Sequence, residues 1–348
     1  MKSAVESFGL KLGNASGVFR LMRARKRGAL VLFYHGVEHE ITDSDIQSLQ
    51  VSFTVFRRQM EYLHRNFEVI SAGQLADRFE QRHAFTGGEV HLTFDDGYVN
   101  NLEVVAPYLH SLGMPFTVFV STRHIDAGQR FPSYYLKTAF RFTEAANADF
   151  PSLGTRFDLG TAELRKHAER TVGCELKRVE QARVREIVRD LEALLPAERW
   201  VELNERFRSE APMSWEQVRS LTMLGATIAS HCHDHAILHA QQPHKEVQAQ
   251  IALSRGRIES EIGTACTQFA FPNGARGDLT QESITELRRE GYRLAYTTIA
   301  GELQVDCNPY VLPRAPAPFD LDRFKRLVDA SSLLEGRHHY RDWARTFS

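Results

Sequence analysis

The feature that most constrains the fold is a series of short apolar segments that alternate with amphipathic helical segments. The apolar segments lie at 29–35, 67–71, 89–95, 115–121, 226–231, 268–272, 294–298 and 310–314. Most of them are apolar on both alternating faces, which is typical of parallel strands that are covered on both sides. This alternation predicts an α/β fold, namely a distorted, TIM-like (β/α) barrel of seven or eight strands, with an open doubly wound sheet as the competing arrangement.

One region, about 131–213, breaks the alternation because it is rich in charged residues and has a helical period. Its clearest apolar face comprises Val184, Ile187, Val188, Leu191, Leu194 and Leu195. We interpret the region as a helical insertion that opens on the rim where strands end, as a lid or substrate wall, an inert excursion or an oligomer contact. The predicted organisation is an N-terminal amphipathic and basic arm (1–28), a barrel with this insertion (29–330) and a C-terminal tail (331–348).

Charge balance, cysteine spacing and the lack of long apolar runs indicate the partners and the compartment of the protein. The chain has 43 basic and 44 acidic residues, so its net charge of -1 does not indicate a nucleic-acid partner. The four cysteines lack disulfide-framework or CxxC spacing, which predicts reduced thiols. The absence of a signal-peptide pattern and of a membrane-spanning run predicts a cytoplasmic protein. The basic segment 19–28 either contacts the inner face of the membrane or packs on the barrel with its basic side in water.

Chemically capable side chains fall at the C-terminal ends of the predicted strands, the end of such folds that carries the active site. They are His35, Asp95, Asp96, His231 and Arg314. The adjacent carboxylates Asp95 and Asp96 repel one another and lose hydration when buried. His231 and His235 are spaced so that both imidazoles can face one point, and with one carboxylate they leave open positions on a bound metal. Such a metal would offset the repulsion, with one aspartate as ligand and the other free to act as a base.

Three of these stretches resemble the motifs of the polysaccharide deacetylases, the NodB-like carbohydrate esterases of family 4. TFDDG (93–97) and SHCHDH (230–235) resemble the first two motifs, and FAFPNG (269–274) resembles the third in its FAYPxG form. FYHGV (33–37), VSFTVFRRQMEYL (51–63), MSWEQVRSLTMLG (213–225) and VLPR (311–314) are similar to one branch of the family. The resemblance covers roughly 29–330 apart from the insertion, and three motifs in order make chance agreement improbable.

The resemblance implies a metal-dependent hydrolase that removes acetyl groups from acetylated sugars, with a metal-bound water as the nucleophile. It implies Asp96, His231 and His235 as the metal ligands. It implies Asp95 as the catalytic base, because a carboxylate beside the metal need only accept a proton. It places the oxyanion site on the third motif, at Pro272, Asn273 and Gly274, with the Asn273 backbone N–H as donor. Zinc is the expected ion, and nickel, cobalt or iron would fit the same ligands.

The chain departs from the family pattern in three respects, at Phe269, at Cys232 and in the late Leu-x-His motif. Phe269 replaces the arginine that orients the base in many members, and Arg314 either supplies that charge or is a structural arginine. The late Leu-x-His motif that provides the general acid is not visible after residue 300. His35 is the candidate acid, although a histidine at a strand end can instead hydrogen-bond a loop. Cys232 stands where the family usually has Thr or Ser, as a tolerated small residue or, alternatively, a metal ligand.

The expected substrate is an N-acetylated amino sugar of a polysaccharide or of a lipid- or nucleotide-linked precursor in cell-surface glycan biosynthesis. A cytoplasmic enzyme would meet a precursor more readily than a mature extracellular polymer. The alternatives are an amide or imide hydrolase with a non-sugar substrate, a catalytically silent glycan-binding protein and a non-haem iron oxygenase. Aromatic residues that could stack on a sugar or lie in the core are Phe131, Tyr134, Tyr135 and Trp215. The sequence pattern does not predict the oligomeric state.

Overall fold

The computed structural model describes residues 10, 12–14, 16–331 and 337–347, so the predicted arm and tail lie partly outside the described residues. The strands are β1 (Leu30–Tyr34), β2 (Gly36–Glu38), β3 (Gln50–Ser52), β4 (Glu68–Val69), β5 (Glu89–Phe94), β6 (Phe116–Val120), β7 (Asn147–Phe150), β8 (Thr155–Asp158), β9 (Ala226–Ser230), β10 (Gln268–Ala270), β11 (Leu294–Tyr296) and β12 (Ala315–Pro316).

The helices surround these strands on the outside or form the insertion. They are α1 (Val18–Arg23), α2 (Phe53–Asn66), α3 (Ala72–Glu80), α4 (Ala106–Ser111), α5 (Thr122–Ala127), α6 (Pro132–Phe142), α7 (Ala162–Leu176), α8 (Gln181–Glu192), α9 (Ala197–Arg206), α10 (Trp215–Met223), α11 (His244–Ile262), α12 (Gln281–Arg289), α13 (Leu321–Asp329) and α14 (Arg337–Ala344). A π-helical turn (Asn101–Val105) precedes α4.

A parallel sheet forms the centre of the molecule, in the order β11-β10-β9-β6-β5-β1-β12, and β4 pairs with the first residues of β5. The chain leading into β12 also pairs with β11 at the other edge, through a bridge between Tyr296 and Leu312. The Leu312 N–H donates to the Ala295 carbonyl at 2.8 Å. The sheet therefore closes into the predicted distorted (β/α) barrel, and the open doubly wound sheet is not the fold.

The strand segments are apolar on both faces because each face packs into a different core. All six residues of β5 and all five of β6 are buried. Leu92 and Phe94 belong to the large cluster between the sheet and the outer helices. Val31, Phe119 and Tyr296 belong to a second cluster, which fills the barrel. Burial of each such side chain stabilises the fold by roughly 1.5–3 kcal/mol, so every strand is anchored from both sides.

The helix starts follow from local hydrogen-bonding chemistry. At the start of α10 the Ser214 hydroxyl accepts from the Gln217 N–H, and the Ser214 N–H donates to the Gln217 side chain at 2.8 Å. This is the capping box that the sequence predicts. Helix α10 then buries Val218 and Leu221, so the segment that follows the insertion is tied firmly to the barrel.

The region predicted as a helical insertion contains helices α6 to α9 and also a β-hairpin. Helix α8 buries the predicted apolar positions Val184, Ile187, Val188 and Leu191. Strands β7 and β8 pair antiparallel, with Asn147 opposite Asp158 and Phe150 opposite Thr155. The helical period of the flanking residues hides strands of only four residues. These elements share a separate small core that includes Phe140 and Phe150.

The insertion returns to the barrel beside the loop that follows β5. Tyr98 forms an antiparallel bridge with Pro212, and the Met213 N–H donates to the Gly97 carbonyl at 3.0 Å. The end of the insertion is therefore part of the rim that carries the strand ends. Among the described residues no helix combines the length and the apolar character needed to cross a membrane. None of the four cysteines, all of which the structure describes, forms a disulfide.

Candidate metal and catalytic site

The barrel brings the predicted polar residues to one rim, because the carboxyl ends of parallel strands meet there. His35 directly follows β1, and His231 directly follows β9. Asp95 and Asp96 follow β5, and the third-motif loop starts just after β10. Strand β10 lies next to β9, with Phe269 in register with Ser230, so the third-motif loop borders the histidine loop.

Asp96, His231 and His235 form a compact cluster whose possible ligand atoms all lie within 4.8 Å of one another. The Asp96 Oδ1 atom is 3.2 Å from His235 Nε2 and 3.6 Å from His231 Nε2. Asp96 and His231 are buried, whereas the His235 side chain is 24% exposed and keeps the cluster accessible from one side. A carboxylate oxygen and two imidazole nitrogens leave further positions open on a cation.

The chemistry of this cluster fits a divalent cation. The Asp96 Oδ1 atom is buried and has no hydrogen-bond partner among the described residues, which is costly unless a cation binds there. The His231 Nδ1 atom lies 2.8 Å from the Ala270 carbonyl oxygen, an acceptor that assigns the proton to Nδ1 and leaves the Nε2 lone pair free. Burial lowers the pKa of His231 to about 4, so the imidazole is neutral, as a metal ligand must be.

The loops of the site have unusual backbone conformations. Of the five described non-glycine residues with positive φ, four lie here: Asp96, Cys232, His235 and Asn273. Such conformations persist where surrounding contacts determine them, and they are concentrated at functional sites. Gly97 also has a φ of +70°, and a Cβ at this position would lie 2.8 Å from Val120 Cγ1. Packing therefore demands the glycine of the TFDDG stretch.

Asp95 has a different surrounding from its neighbour, because both of its oxygens accept hydrogen bonds from Arg314. The two guanidinium nitrogens lie 2.7 Å and 2.8 Å from the carboxylate oxygens. Arg314 is completely buried, and it also donates to the Thr297 carbonyl at 2.9 Å and to the Thr93 hydroxyl at 3.2 Å. Burial acts to raise the pKa of Asp95, but Arg314, together with the nearby His231 and His35, outweighs burial and holds the pKa below its ordinary value. The structure thus pairs Arg314 with Asp95.

His35 is half-buried on the same rim. Burial and the nearest partners have the largest effects on the pKa values of Asp95 and Asp96. The His35 imidazole makes a smaller contribution that lowers both pKa values, because it lies close to both carboxylates. The Asn101 side chain donates to the His35 backbone carbonyl at 2.9 Å. Asn101 is the first residue of the π-helical turn, a feature that often marks functional sites.

The third-motif loop is held in a defined shape by Thr298. The Thr298 hydroxyl donates to the Asn273 carbonyl at 2.7 Å, and the Thr298 N–H donates to the Gly274 carbonyl at 3.0 Å. Pro272 is buried, whereas Asn273 is exposed. The Asn273 N–H has no hydrogen-bond acceptor within the described part of the chain, so it is available to a ligand. The oxyanion role predicted for Pro272, Asn273 and Gly274 stays a prediction.

Sequence reasoning missed a buried carboxyl group at the end of the insertion. Glu210 is 4% exposed and accepts a hydrogen bond of 2.7 Å from the Gln50 amide. The Gln50 oxygen in turn accepts from Asn100 at 2.8 Å, next to the residue that holds His35. Burial raises the pKa of Glu210 to about 7. Its neighbours in the sequence, Ser209 and Ala211, give no signal of this burial.

Two alternatives from the sequence are decided by the structure. The Cys232 side chain is not part of the ligand cluster, and its sulfur donates to the Ala236 carbonyl at 3.5 Å. Phe131 and Tyr134 are 2% and 3% exposed, so they are core residues and not surfaces for sugar stacking. The Phe131 ring packs edge-to-face on His235, with 5.1 Å between ring centres, and thereby supports the cluster from behind.

Comparison with known proteins agrees with this arrangement. The sequence model of the family described as polysaccharide deacetylase matches residues 83–174 and 193–295, which is more than half of the chain. The fold is similar to the deacetylase PplD of Streptococcus pyogenes in complex with acetate (14% identity, 85% of this chain and 96% of that chain, TM-score 0.57). It is also similar to IcaB of Ammonifex degensii (17% identity, 87% and 97%, TM-score 0.56). No curated protein sequence matches the chain.

Proposed function

This chain belongs to the polysaccharide deacetylase family, and from that premise we propose that it removes acetyl groups from N-acetylated amino sugars with the help of a divalent metal. The observation that carries the proposal is the juxtaposition of two sets of residues. Asp96, His231 and His235 offer a metal site, and the next carboxylate, Asp95, is held beside it by Arg314. A hydrolase needs both a polarised carbonyl and a positioned base, and this rim offers residues for each task.

The metal would be held by the Asp96 carboxylate and the Nε2 atoms of His231 and His235. When bound, it would act as a Lewis acid on the acetyl carbonyl and would lower the pKa of a water molecule. Zinc is our proposal for the ion, because two imidazoles and one carboxylate suit it, and nickel, cobalt or iron remain alternatives.

Asp95 is proposed as the base that takes a proton from the attacking water. Its ion pair with Arg314 supports this role in two ways. The low pKa of Asp95 keeps the carboxylate ionised near neutral pH, and the guanidinium, which also donates to the Thr93 hydroxyl, restricts the orientation of the carboxylate. Arg314 is therefore proposed as the residue that positions the base, in place of the arginine that many family members carry in the third motif.

His35 is proposed as the general acid, and the third-motif loop as the oxyanion site. A half-buried imidazole close to both carboxylates can donate a proton to the nitrogen of the leaving amine. The Asn273 N–H, which has no acceptor in the described part of the protein, can donate to the oxygen on which negative charge develops. Pro272 and Gly274 would shape the loop around that donor.

The substrate is proposed to be an N-acetylated sugar of a lipid- or nucleotide-linked glycan precursor, or of the polysaccharide itself. We propose a cytoplasmic location, and the support for it is that the four cysteines form no disulfide, as in a reducing compartment. A peripheral membrane contact is proposed through residues 19–28, where Leu21 is 72% exposed and Arg20 and Arg25 are exposed beside it. Cosedimentation with vesicles that contain anionic lipid should decrease in Leu21→Asp.

The test of the proposed activity is acetate release by the zinc-loaded protein from a substrate panel. The panel contains an N-acetylglucosamine oligomer, a nucleotide-linked N-acetylated sugar, an O-acetylated sugar, a non-sugar amide and a cyclic imide. His231→Ala, which removes one ligand, is the control for metal-dependent turnover, and metal content is measured for both proteins. Release only from the non-sugar amide or imide would favour the alternative hydrolase. Binding of sugar without any release would favour the silent glycan-binding protein.

A further inference from the structure

A cavity of about 500 Å³ lies between the barrel and the insertion. Its barrel side includes Arg123 and His124 of α5 and the nearby Gln129. Its insertion side is helix α8, which contributes Gln181, Arg185 and Arg189 among others. The volume is within the range of pockets that bind small ligands.

The insertion wall of this cavity lies outside the part of the chain that matches the family model. The family match stops at residue 174 and resumes at residue 193, and helix α8 (Gln181–Glu192) falls inside that interval. Asp95, Asp96, His231 and His235 lie inside the matched ranges, whereas this wall does not. A wall outside the matched family pattern is suited to recognise the part of a substrate that varies between family members.

The cavity presents both hydrogen-bond donors and acceptors. Arg185 and Arg123 are held by Asp234, with nitrogen–oxygen distances of 2.6 Å and 3.4 Å. The Arg189 guanidinium, in contrast, has no ion pair or hydrogen bond within the described ranges. The lining contains four arginines and three carboxylates, so its charges nearly cancel. Such a mixed surface suits a neutral ligand with many hydroxyl groups better than a polyanion.

One lining residue of the cavity, His124, has a buried acceptor atom without a partner. His124 is 4% exposed, and its Nε2 atom has no hydrogen-bond partner among the described residues. Its Nδ1 atom lies 2.9 Å from the Gln129 carbonyl, an acceptor that assigns the proton to Nδ1 and makes Nε2 an acceptor. A buried acceptor of this kind requires a donor, and a ligand hydroxyl group would be one.

The cavity adjoins the metal cluster through a short series of contacts. The His124 ring stacks on Phe131 with 4.3 Å between ring centres, and Phe131 in turn contacts His235. Asp234, which lines the cavity, directly precedes His235 in the chain. A ligand in the cavity would therefore lie beside the histidine loop and would leave the cluster itself free.

We propose that this cavity is a subsite for a second sugar unit of the glycan, apart from the unit that loses its acetyl group. The inference rests on the proposed function, and it assigns to helix α8 a role in selecting substrates by chain length. The ligand class is a neutral, polyhydroxylated sugar. Arg189 and His124 contribute its hydrogen-bonding partners, and the paired Arg185 and Asp234 form the fixed floor.

The test compares two variants of α8 with a matched control. Arg189→Ala removes the unpaired donor, and Ala182→Trp fills the cavity from an exposed position on the same helix. The control is Arg183→Ala, because Arg183 is exposed on α8, pairs with Glu186 and does not line the cavity. With zinc-loaded protein, kcat/KM for an N-acetylglucosamine tetramer should fall about tenfold in Arg189→Ala, the cost of one charged hydrogen bond. It should also fall in Ala182→Trp, because the indole ring occupies the space of the second sugar. Turnover of the monosaccharide should not change.

A binding measurement separates this proposal from the proposed function. Glucose tetramers, which carry no acetyl group, are titrated calorimetrically into zinc-loaded wild-type protein and the three variants. Weaker binding in Arg189→Ala and Ala182→Trp, with unchanged binding in Arg183→Ala, supports the subsite even if no acetylated sugar is turned over. Equal binding by all four proteins would overturn it. Tighter binding of a sugar phosphate than of the neutral tetramers would overturn the assignment of a neutral ligand.

Discussion

Asp95 and Asp96 are neighbours in the chain, but they face two different regions of the rim. Asp95 faces the side of β1 and β12, where the buried Arg314 donates one hydrogen bond to each of its oxygens. Asp96 faces the side of β9 and β10, where two imidazoles surround an oxygen without a hydrogen-bond partner in the described chain. One carboxylate is neutralised by an internal cation, and we propose that the other binds an exchangeable one.

This difference explains how the barrel tolerates two adjacent buried carboxylates. Each negative charge loses hydration, and neither could remain ionised without compensation. A covalently attached guanidinium cannot dissociate, so it fixes the orientation of Asp95 permanently. A cation held by Asp96 would leave coordination positions for reactants. The two solutions correspond to the two proposed roles of base and ligand, and the following experiments test that division.

The largest effects are expected from variants that separate metal binding from turnover. Asp95→Asn should lower kcat by about 10³-fold and keep the metal, because it removes the base but no ligand. His235→Ala should lose both metal and activity, because two ligands hold a cation poorly. Metal content and acetate release are measured together. Since Asn leaves the Arg314 charge unpaired, circular dichroism verifies the fold, and equal metal loss in the two variants would refute the division.

The next effect concerns the stability of the Asp95 side. Arg314→Gln leaves a buried carboxylate without its partner and should lower the free energy of unfolding by about 3–5 kcal/mol, measured in urea. Arg293→Gln is the control, because Arg293 pairs with Glu80 at 2.6 Å with side chains that are 37% and 62% exposed. The control should cost less than about 1 kcal/mol. Similar losses of unfolding free energy in the two variants would mean that the buried Asp95–Arg314 pair contributes no more to stability than a surface ion pair.

Glu210 sharpens the comparison because it is a buried carboxyl group whose hydrogen-bond partner is an amide. Its pKa of about 7, compared with an ordinary value of 4.5, means that the folded protein retains a proton that the unfolded chain releases. Stability should therefore fall as pH rises from 4.5 to 7. The free energy of unfolding of Glu210→Gln, taken relative to that of the wild type, should therefore be about 3 kcal/mol higher at pH 7 than at pH 4.5. Urea unfolding at several pH values measures the gain, and a pH-independent difference would contradict the prediction.

The smallest effect is expected at His35, which faces both carboxylates. His35→Ala should slow cleavage of an N-acetylated sugar by about 10- to 100-fold, because the leaving amine needs a proton. Cleavage of an activated acetyl ester should change little, because its leaving group is stable without protonation. Rates for the two substrates are compared in the same preparation. Equal slowing of both would assign His35 a structural role and leave the acid to another residue.

Much of the fold and of the ligand cluster could be predicted from short stretches of sequence. Apolar periodicity predicted the barrel, and the capping box at Ser214 was confirmed. The spacing of His231 and His235 predicted two imidazoles that meet one carboxylate of the Asp95–Asp96 pair, and the family resemblance implied that this carboxylate is Asp96. The structure brings these three residues together. These features depend on which residues end a strand or start a helix, and such positions are set by local backbone geometry.

Other features escaped prediction because local patterns do not carry them. The hairpin of β7 and β8 lies among charged helical segments and has strands of only four residues. The burial of Glu210 depends on the return of the insertion to the loop after β5. The cavity between the barrel and the insertion is formed by helix α8 and by residues in and near α5, and about 50 positions of the chain separate these two groups.

The sequence by itself determined the strand and helix alternation, the paired carboxylates at a strand end and the histidines that can face them. Only the tertiary structure decided that Arg314 pairs with Asp95, since 219 residues separate them. Closure of the barrel brings the segment leading into β12 beside β1, and this buries a guanidinium that no local pattern distinguishes from a surface arginine. Burial then makes the pairing compulsory, because an isolated charge in a dry interior is too costly to persist.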